Sequence, residues 1–90
     1  KVPEFYGLNK VYPNPFNPST EIEFSLAYDA DISLSVYDLS GRQVDVIFEG
    51  FQTSGIHSYQ WNASQFPSGV YYVKFQSDNQ VQSMKAVLLK

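Results

Sequence analysis

A chain of 90 residues has room for one compact domain, and 43% of its residues are apolar. The absence of cysteine excludes disulfides, a thiolate nucleophile and a cysteine-ligated metal, and a single histidine excludes zinc sites built on several imidazoles. A net charge of −3, with six basic residues scattered along the chain, leaves no basic stripe for nucleic acid. The longest purely apolar runs, Val70 to Val73 and Ala86 to Leu89, are far too short to cross a bilayer, so no transmembrane segment is expected. Aromatic residues make up 17% of the chain, valine is plentiful, and leucine and alanine are sparse. Such residues suit a pleated, half-buried surface, so the composition predicts an all-β domain.

The first eighteen residues are punctuated by Pro3, Gly7, Pro13, Pro15 and Pro18, which excludes a central strand. In Tyr12-Pro13-Asn14-Pro15-Phe16-Asn17-Pro18 each proline biases the residue before it to extended geometry, and Asn14 and Asn17 suit Asx turns. The segment predicts a rigid lead-in with one short strand, and residues 1–10 read as linker and lead-in to a domain that spans the whole chain. From Thr20 the period is two. Ile22, Phe24 and Leu26 alternate with Glu21, Glu23 and Ser25, which predicts a half-buried strand.

Ile32, Leu34 and Val36 give a second alternating strand. Asp38-Leu39-Ser40-Gly41 predicts a tight turn in which Gly41 supplies a positive φ, and Arg42 to Phe48 returns as a hairpin partner. Gly50 and Gly55 predict a loop that contains Phe51. Ile56 to Trp61 is a further strand, and Asn62 to Ser68 a longer connection. Gly69 to Gln76 has apolar residues on both sides, which predicts a central strand covered on both faces. Ser77-Asp78-Asn79-Gln80 is a turn, and Val81 to Leu89 the last strand. About seven short antiparallel strands in 90 residues predict an immunoglobulin-like β-sandwich.

Little here points to catalysis. His57 is the one imidazole, and Gly55-Ile56-His57-Ser58-Tyr59 is not a nucleophile elbow. Glu21 and Glu23 share a solvent face, where nothing raises a carboxyl pKa into the range for proton transfer. Asp29 and Asp31 are too few for a calcium loop. The expectation is therefore no enzyme, no metal and no cofactor. The rings of Trp61, Tyr59, Tyr37, Tyr6 and Tyr12 would build a sugar platform if clustered at the surface, so a carbohydrate-binding or structural accessory module of a secreted enzyme is the competing reading.

Tyr12 to Thr20, then Val36-Tyr37-Asp38-Leu39-Ser40-Gly41-Arg42-Gln43-Val44, then Trp61-Asn62, then Ser68-Gly69-Val70-Tyr71, and finally Lys85 before a short apolar end, occur in one order. Together they resemble the type A C-terminal sorting domain of the type IX secretion system, from about Leu8 to Lys90. The immunoglobulin-like domain of the flagellar hook-capping protein is similar in part, but its glycine- and acid-rich stretch after the tryptophan is missing here.

The resemblance implies a non-catalytic address on proteins exported by Bacteroidota and related bacteria. It implies a passenger domain on the N-terminal side, a signal peptide upstream that this sequence lacks, passage through the periplasm and the outer-membrane translocon, and removal by a sortase-like peptidase. The passenger is then released or held at the surface. Gly69, Tyr71, Lys85 and Lys90 are the implied recognition residues. Tyr12, Pro13, Asn14, Pro15, Asn17, Pro18, Gly41 and Trp61 are the implied structural motif. Recognition by pairing at an open edge of the last strand is the expected mode.

Overall fold

The computed structural model describes residues 6–78 and 80–90. Pro3 with the rest of residues 1–5, half of the expected linker, and Asn79 of the expected turn lie outside the described residues, whereas Gly7 to Lys10 of that linker belong to the first strand. Seven strands follow one another: β1 (Gly7–Tyr12), β2 (Ser19–Leu26), β3 (Ala30–Asp38), β4 (Gln43–Gln52), β5 (Gly55–Asn62), β6 (Gly69–Ser77) and β7 (Gln80–Leu88). They form a three-stranded sheet in the order β1-β2-β5 and a four-stranded sheet in the order β4-β3-β6-β7, and every strand pairing is antiparallel. The fold is the immunoglobulin-like sandwich that the period-two pattern predicts.

Alternation decides which side chains meet between the sheets. Ile22 and Phe24 of β2, Leu34 and Val36 of β3, Val73 and Phe75 of β6, and Ala86 and Leu88 of β7 are all fully buried. Burying each of the larger ones contributes about 1.5–3 kcal/mol. Phe24 and Phe75 meet across the sandwich with ring centroids 5.0 Å apart. Buried hydroxyls have partners: Thr20 donates to the Pro13 carbonyl at 2.7 Å, and Ser25 accepts from the Asn9 amide at 2.6 Å.

Three expectations are corrected. Gly50 and Phe51 do not form a loop; they continue β4, opposite Ile32 and Asp31. The start of β3 takes its ladder partners from them, and Gly50 accepts a φ of +149° there. Next, β6 is central by pairing but covered on one face only. Its outer side carries Tyr72, Lys74 and Gln76, as an antiparallel sheet with one wet face permits. Tyr72 is exposed there, in a cross-strand row with Tyr37 and Lys85.

The third correction concerns the last strand, because its C-terminal half is not an open edge. The Phe16 amide donates to the Val87 carbonyl at 2.9 Å, and the Leu89 amide donates to the Phe16 carbonyl at 3.0 Å. The Asn14 side-chain amide donates to the Lys85 carbonyl at 2.7 Å, and its oxygen accepts the Val87 amide at 2.9 Å. The lead-in therefore stands in for a neighbouring strand and satisfies backbone groups that an edge leaves bare. Further along, the Gln82 side chain accepts the Leu8 amide at 2.6 Å. A Cβ on Gly7 would collide with that Gln82 amide, and Gly7 has a φ of +99°.

Asn14→Ala removes two of these bonds, so it should cost about 1–2 kcal/mol and lower the melting temperature by roughly 5–15 °C. Asn17 is exposed and makes no side-chain bond among the described residues, so Asn17→Ala should change stability by less than about 0.5 kcal/mol. Thermal denaturation followed by circular dichroism compares the two; equal melting points would remove the clamp from this account.

Candidate functional site

The strand registers place the residues singled out in the sequence at one end of the sandwich. β1 reaches this end at Tyr12, β2 starts there at Ser19, β3 ends there at Asp38, β5 ends there at Asn62, β6 starts there at Gly69 and β7 ends there at Leu88. The lead-in, the β3–β4 turn and the β5–β6 connection close it. Lys85 lies a few residues in from this end, opposite Tyr72.

Trp61 is the hub. Its indole is 2% exposed and its ring centroid lies 5.6 Å from Phe16, 5.7 Å from Phe66 and 5.6 Å from Tyr71. The indole N–H donates to the Asp45 carboxylate at 2.9 Å, so the one polar atom of a buried ring is satisfied. This burial ends the sugar-platform reading of Trp61. Of its proposed companions, Tyr59 is half-buried and stacks on Phe24 and Phe48. Tyr37 lies under the Lys74 ammonium at 5.3 Å. Tyr12 is exposed at this end, and Tyr6 at the other, so the rings form no single surface row.

Tyr71 is a core residue as well, 5% exposed, and its hydroxyl donates to the Pro67 carbonyl at 2.6 Å. Burial and the Asp38 charge push its pKa upwards. The hydroxyl therefore holds the β5–β6 connection onto β6. Gly69 has a φ of +156°, and a Cβ there would meet open space, so backbone angle and not crowding favours glycine at this position. Lys85 projects from the outer face. The Lys90 amide donates to the Ser68 hydroxyl at 3.0 Å, and its ammonium donates to the Ser64 carbonyl at 2.9 Å.

The Asp38 carboxylate builds the β3–β4 turn. One oxygen accepts the Ser40 amide at 3.0 Å, the Ser40 hydroxyl at 2.6 Å and the Arg42 amide at 3.1 Å. Its other oxygen lies 3.2 Å from the Arg42 guanidinium. The Ser40 hydroxyl bond and then the Arg42 amide bond hold its pKa below the ordinary carboxylate value. Gly41 takes a φ of +87°, which a side chain would resist. Between this turn and the β5–β6 connection runs a groove of about 700 Å³, lined by Leu39, Arg42, Phe66, Pro67 and Gly69 among others.

The residues that sequence reasoning missed are Phe16, Phe66, Asp45 and Gln82. Phe16 carried a signal, an apolar residue amid prolines; Phe66 sits between Trp61 and Tyr71, five positions from each, and Asp45 and Gln82 gained their meaning from distant partners. His57 lies on β5, half-buried. Its ring stacks on Phe24, and Nε2 lies 2.7 Å from the Thr53 carbonyl. Among the described residues no group of three His, Asp or Glu side chains is placed to hold a metal. No helix among them is long and apolar enough to cross a membrane.

Fold and site together define a small antiparallel sandwich whose motif residues assemble one end of the molecule. A family model described as the secretion system C-terminal sorting domain matches residues 10–90, and the chain belongs to that family. No curated protein matches it. The domain is a sorting signal for type IX secretion, which implies a passenger, the type IX machinery, and export through the periplasm to the cell surface or to release. Domains of this family are in general non-catalytic.

The lowered Asp38 pKa sets a sign. The bonds to the ionised carboxylate add stability above the unfolded-state value, and this is lost as pH falls through the folded-state value. Asp38→Asn should therefore be less stable than the parent at neutral pH, with the gap closing on acidification below the usual carboxylate range. Urea titrations of both proteins at several pH values check this. A gap that stays constant with pH would deny the carboxylate its role in the turn.

Proposed function

We propose that the Gly69 end of the sandwich is the surface that the type IX machinery reads. The observation that carries this reading is convergence: segments from Tyr12, Asp38, Trp61, Gly69 and Lys85 onward, far apart in the chain, are brought to one end. In this reading the domain performs no chemistry. A sortase-like peptidase cuts on its N-terminal side, ahead of the start of β1 at Gly7.

The roles divide by exposure. Tyr71 and Trp61 act through the fold, because their rings are inside it. Asn14, Pro15 and Phe16 act by holding the last strand in place. Lys85 and Lys90 present positive charge to the partner, and Gly69 leaves the floor of the groove bare. Charges at the margin of such a surface steer association and reject wrong partners.

The test is export of a fluorescent reporter. These 90 residues are fused behind a signal peptide and the reporter, in a bacterium with a type IX system and in a strain without its translocon. Reporter should appear outside the first strain and stay in the periplasm of the second. Lys85→Glu leaves an exposed side chain exposed, so it should leave the melting temperature unchanged and reduce export about tenfold, the equivalent of about 1.4 kcal/mol of recognition. Full export of Lys85→Glu, Lys90→Glu and Gly69→Ala alike would mean that the machinery reads another surface.

A further inference from the structure

The four sheet edges are not alike. β1 has a register shift between Leu8 and Lys10, carries Lys10, and runs straight into Pro13. β4 has two register shifts, opposite Leu34/Ser35 and opposite Val36/Tyr37. β7 is clamped by Asn14 and Phe16. Bulges, charge, proline and cover are the devices by which proteins blunt an edge against added strands. β5 has none of them. It pairs with β2 in unbroken register from Gly55 to Asn62, and holds no charged residue and no proline.

The parity of β5 follows from one bond. The Ala63 amide donates to the Pro18 carbonyl at 2.8 Å, which continues the β2 register by one pair. Odd-numbered residues of β5 therefore turn their backbone groups to β2, and Ile56, Ser58 and Gln60 turn theirs outward. Among the described residues no hydrogen bond reaches these outward groups. Beside them lies β4, which belongs to the other sheet. It sends Phe48 to stack on Tyr59 at 5.1 Å and leaves Val44, Ile47 and Phe48 only half-buried against the core. β4 and β5 together carry Asp45 and Glu49 and no lysine or arginine.

We propose that the outer edge of β5 accepts one extended segment of a partner protein as a fourth strand. The chemistry on the page specifies it. Backbone pairing to Ile56, Ser58 and Gln60 supplies affinity. Apolar side chains at alternate positions cover Ile47 and Phe48. Basic residues at the flanks answer Asp45 and Glu49. A second copy of this chain fits less well, because two β5 edges set together would bring both acidic pairs into opposition. The site meets the Gly69 end only at Asp45, whose carboxylate also accepts the Trp61 indole N–H, and the argument for it does not depend on which surface the type IX machinery reads.

Amide exchange and ¹H–¹⁵N spectra of the 90-residue chain test this. The probe is an eight-residue peptide of alternating threonine and valine with lysine at both ends; its controls carry glutamate at both ends, or proline at the centre. The amides of Ile56, Ser58 and Gln60 should exchange freely in the chain alone and slow by about tenfold or more with the lysine peptide, whereas neither control should protect them. Ser58→Pro removes an outward N–H without touching the β2 ladder, and Ser58→Lys places a repelling charge on the edge; each should weaken binding at least about tenfold. Ser58→Lys keeps the test decisive if the proline variant fails to fold. Protection of these amides in the chain alone, or peptide-induced shifts centred on another edge, would overturn the proposal. Protection that rises with chain concentration alone would replace the partner segment with a second copy.

Discussion

Trp61 is the contact on which the Gly69 end depends. A buried indole needs apolar neighbours on every side and one acceptor for its N–H. Here Phe16 comes from the lead-in, Phe66 from the β5–β6 connection, Tyr71 from β6 and the carboxylate of Asp45 from β4. Four segments that share no backbone pairing with one another at this point are thereby fixed relative to a fifth. The groove, the turn at Asp38 and the last residues of β7 are all arranged around that cluster. Remote sequence segments form one surface because they share a buried ring.

The same end solves a backbone problem. The last strand of a sandwich exposes donors and acceptors along its outer side, and burying or blunting them is a condition of staying monomeric. A proline-rich lead-in cannot pair as a regular strand, since proline gives no N–H. It serves instead with one side-chain amide and one residue of main chain, Asn14 and Phe16, which together meet three backbone groups of β7 and the Leu89 amide just beyond it. The prolines on either side leave these two residues little freedom to lose. The alternation of proline and asparagine is thus a way to cover an edge without extending the sheet.

Much of this was legible in the sequence, and the reason is local. Period two placed β2 and β3 and chose their inner faces, because alternation needs nothing beyond neighbouring residues. The Asp38–Gly41 turn was legible because its chemistry lies within five positions. What failed involved pairing at long range. Gly50 looked like a break, yet Ile32 supplies it with a ladder partner. Tyr72 looked like core, yet it lies exposed on the outer face in a row with Tyr37 and Lys85. The last strand looked open, yet residues more than seventy positions upstream close it. The family resemblance implied Tyr71 as a recognition residue and Trp61 as a structural one, and the sugar-platform reading needed Trp61 at the surface; both rings lie inside.

That burial bears on how a sorting signal of this kind is read. If Tyr71 and Trp61 are inside, a receptor cannot touch them in the folded domain, and the motif is not a linear word. It is a specification for a shape, with Tyr12 and Asn17 of the lead-in, Lys85, Lys90, the Asp38–Arg42 turn and the bare position at Gly69 among the parts left at the surface. A domain that unfolds during export would discard that shape, and its motif rings would be exposed to any apolar surface. A folded domain keeps them hidden and presents the same few exposed groups behind any passenger. The constraint that makes the signal portable is therefore the one that makes it stable, namely the closure of aromatic rings and strand edges at one end of the sandwich.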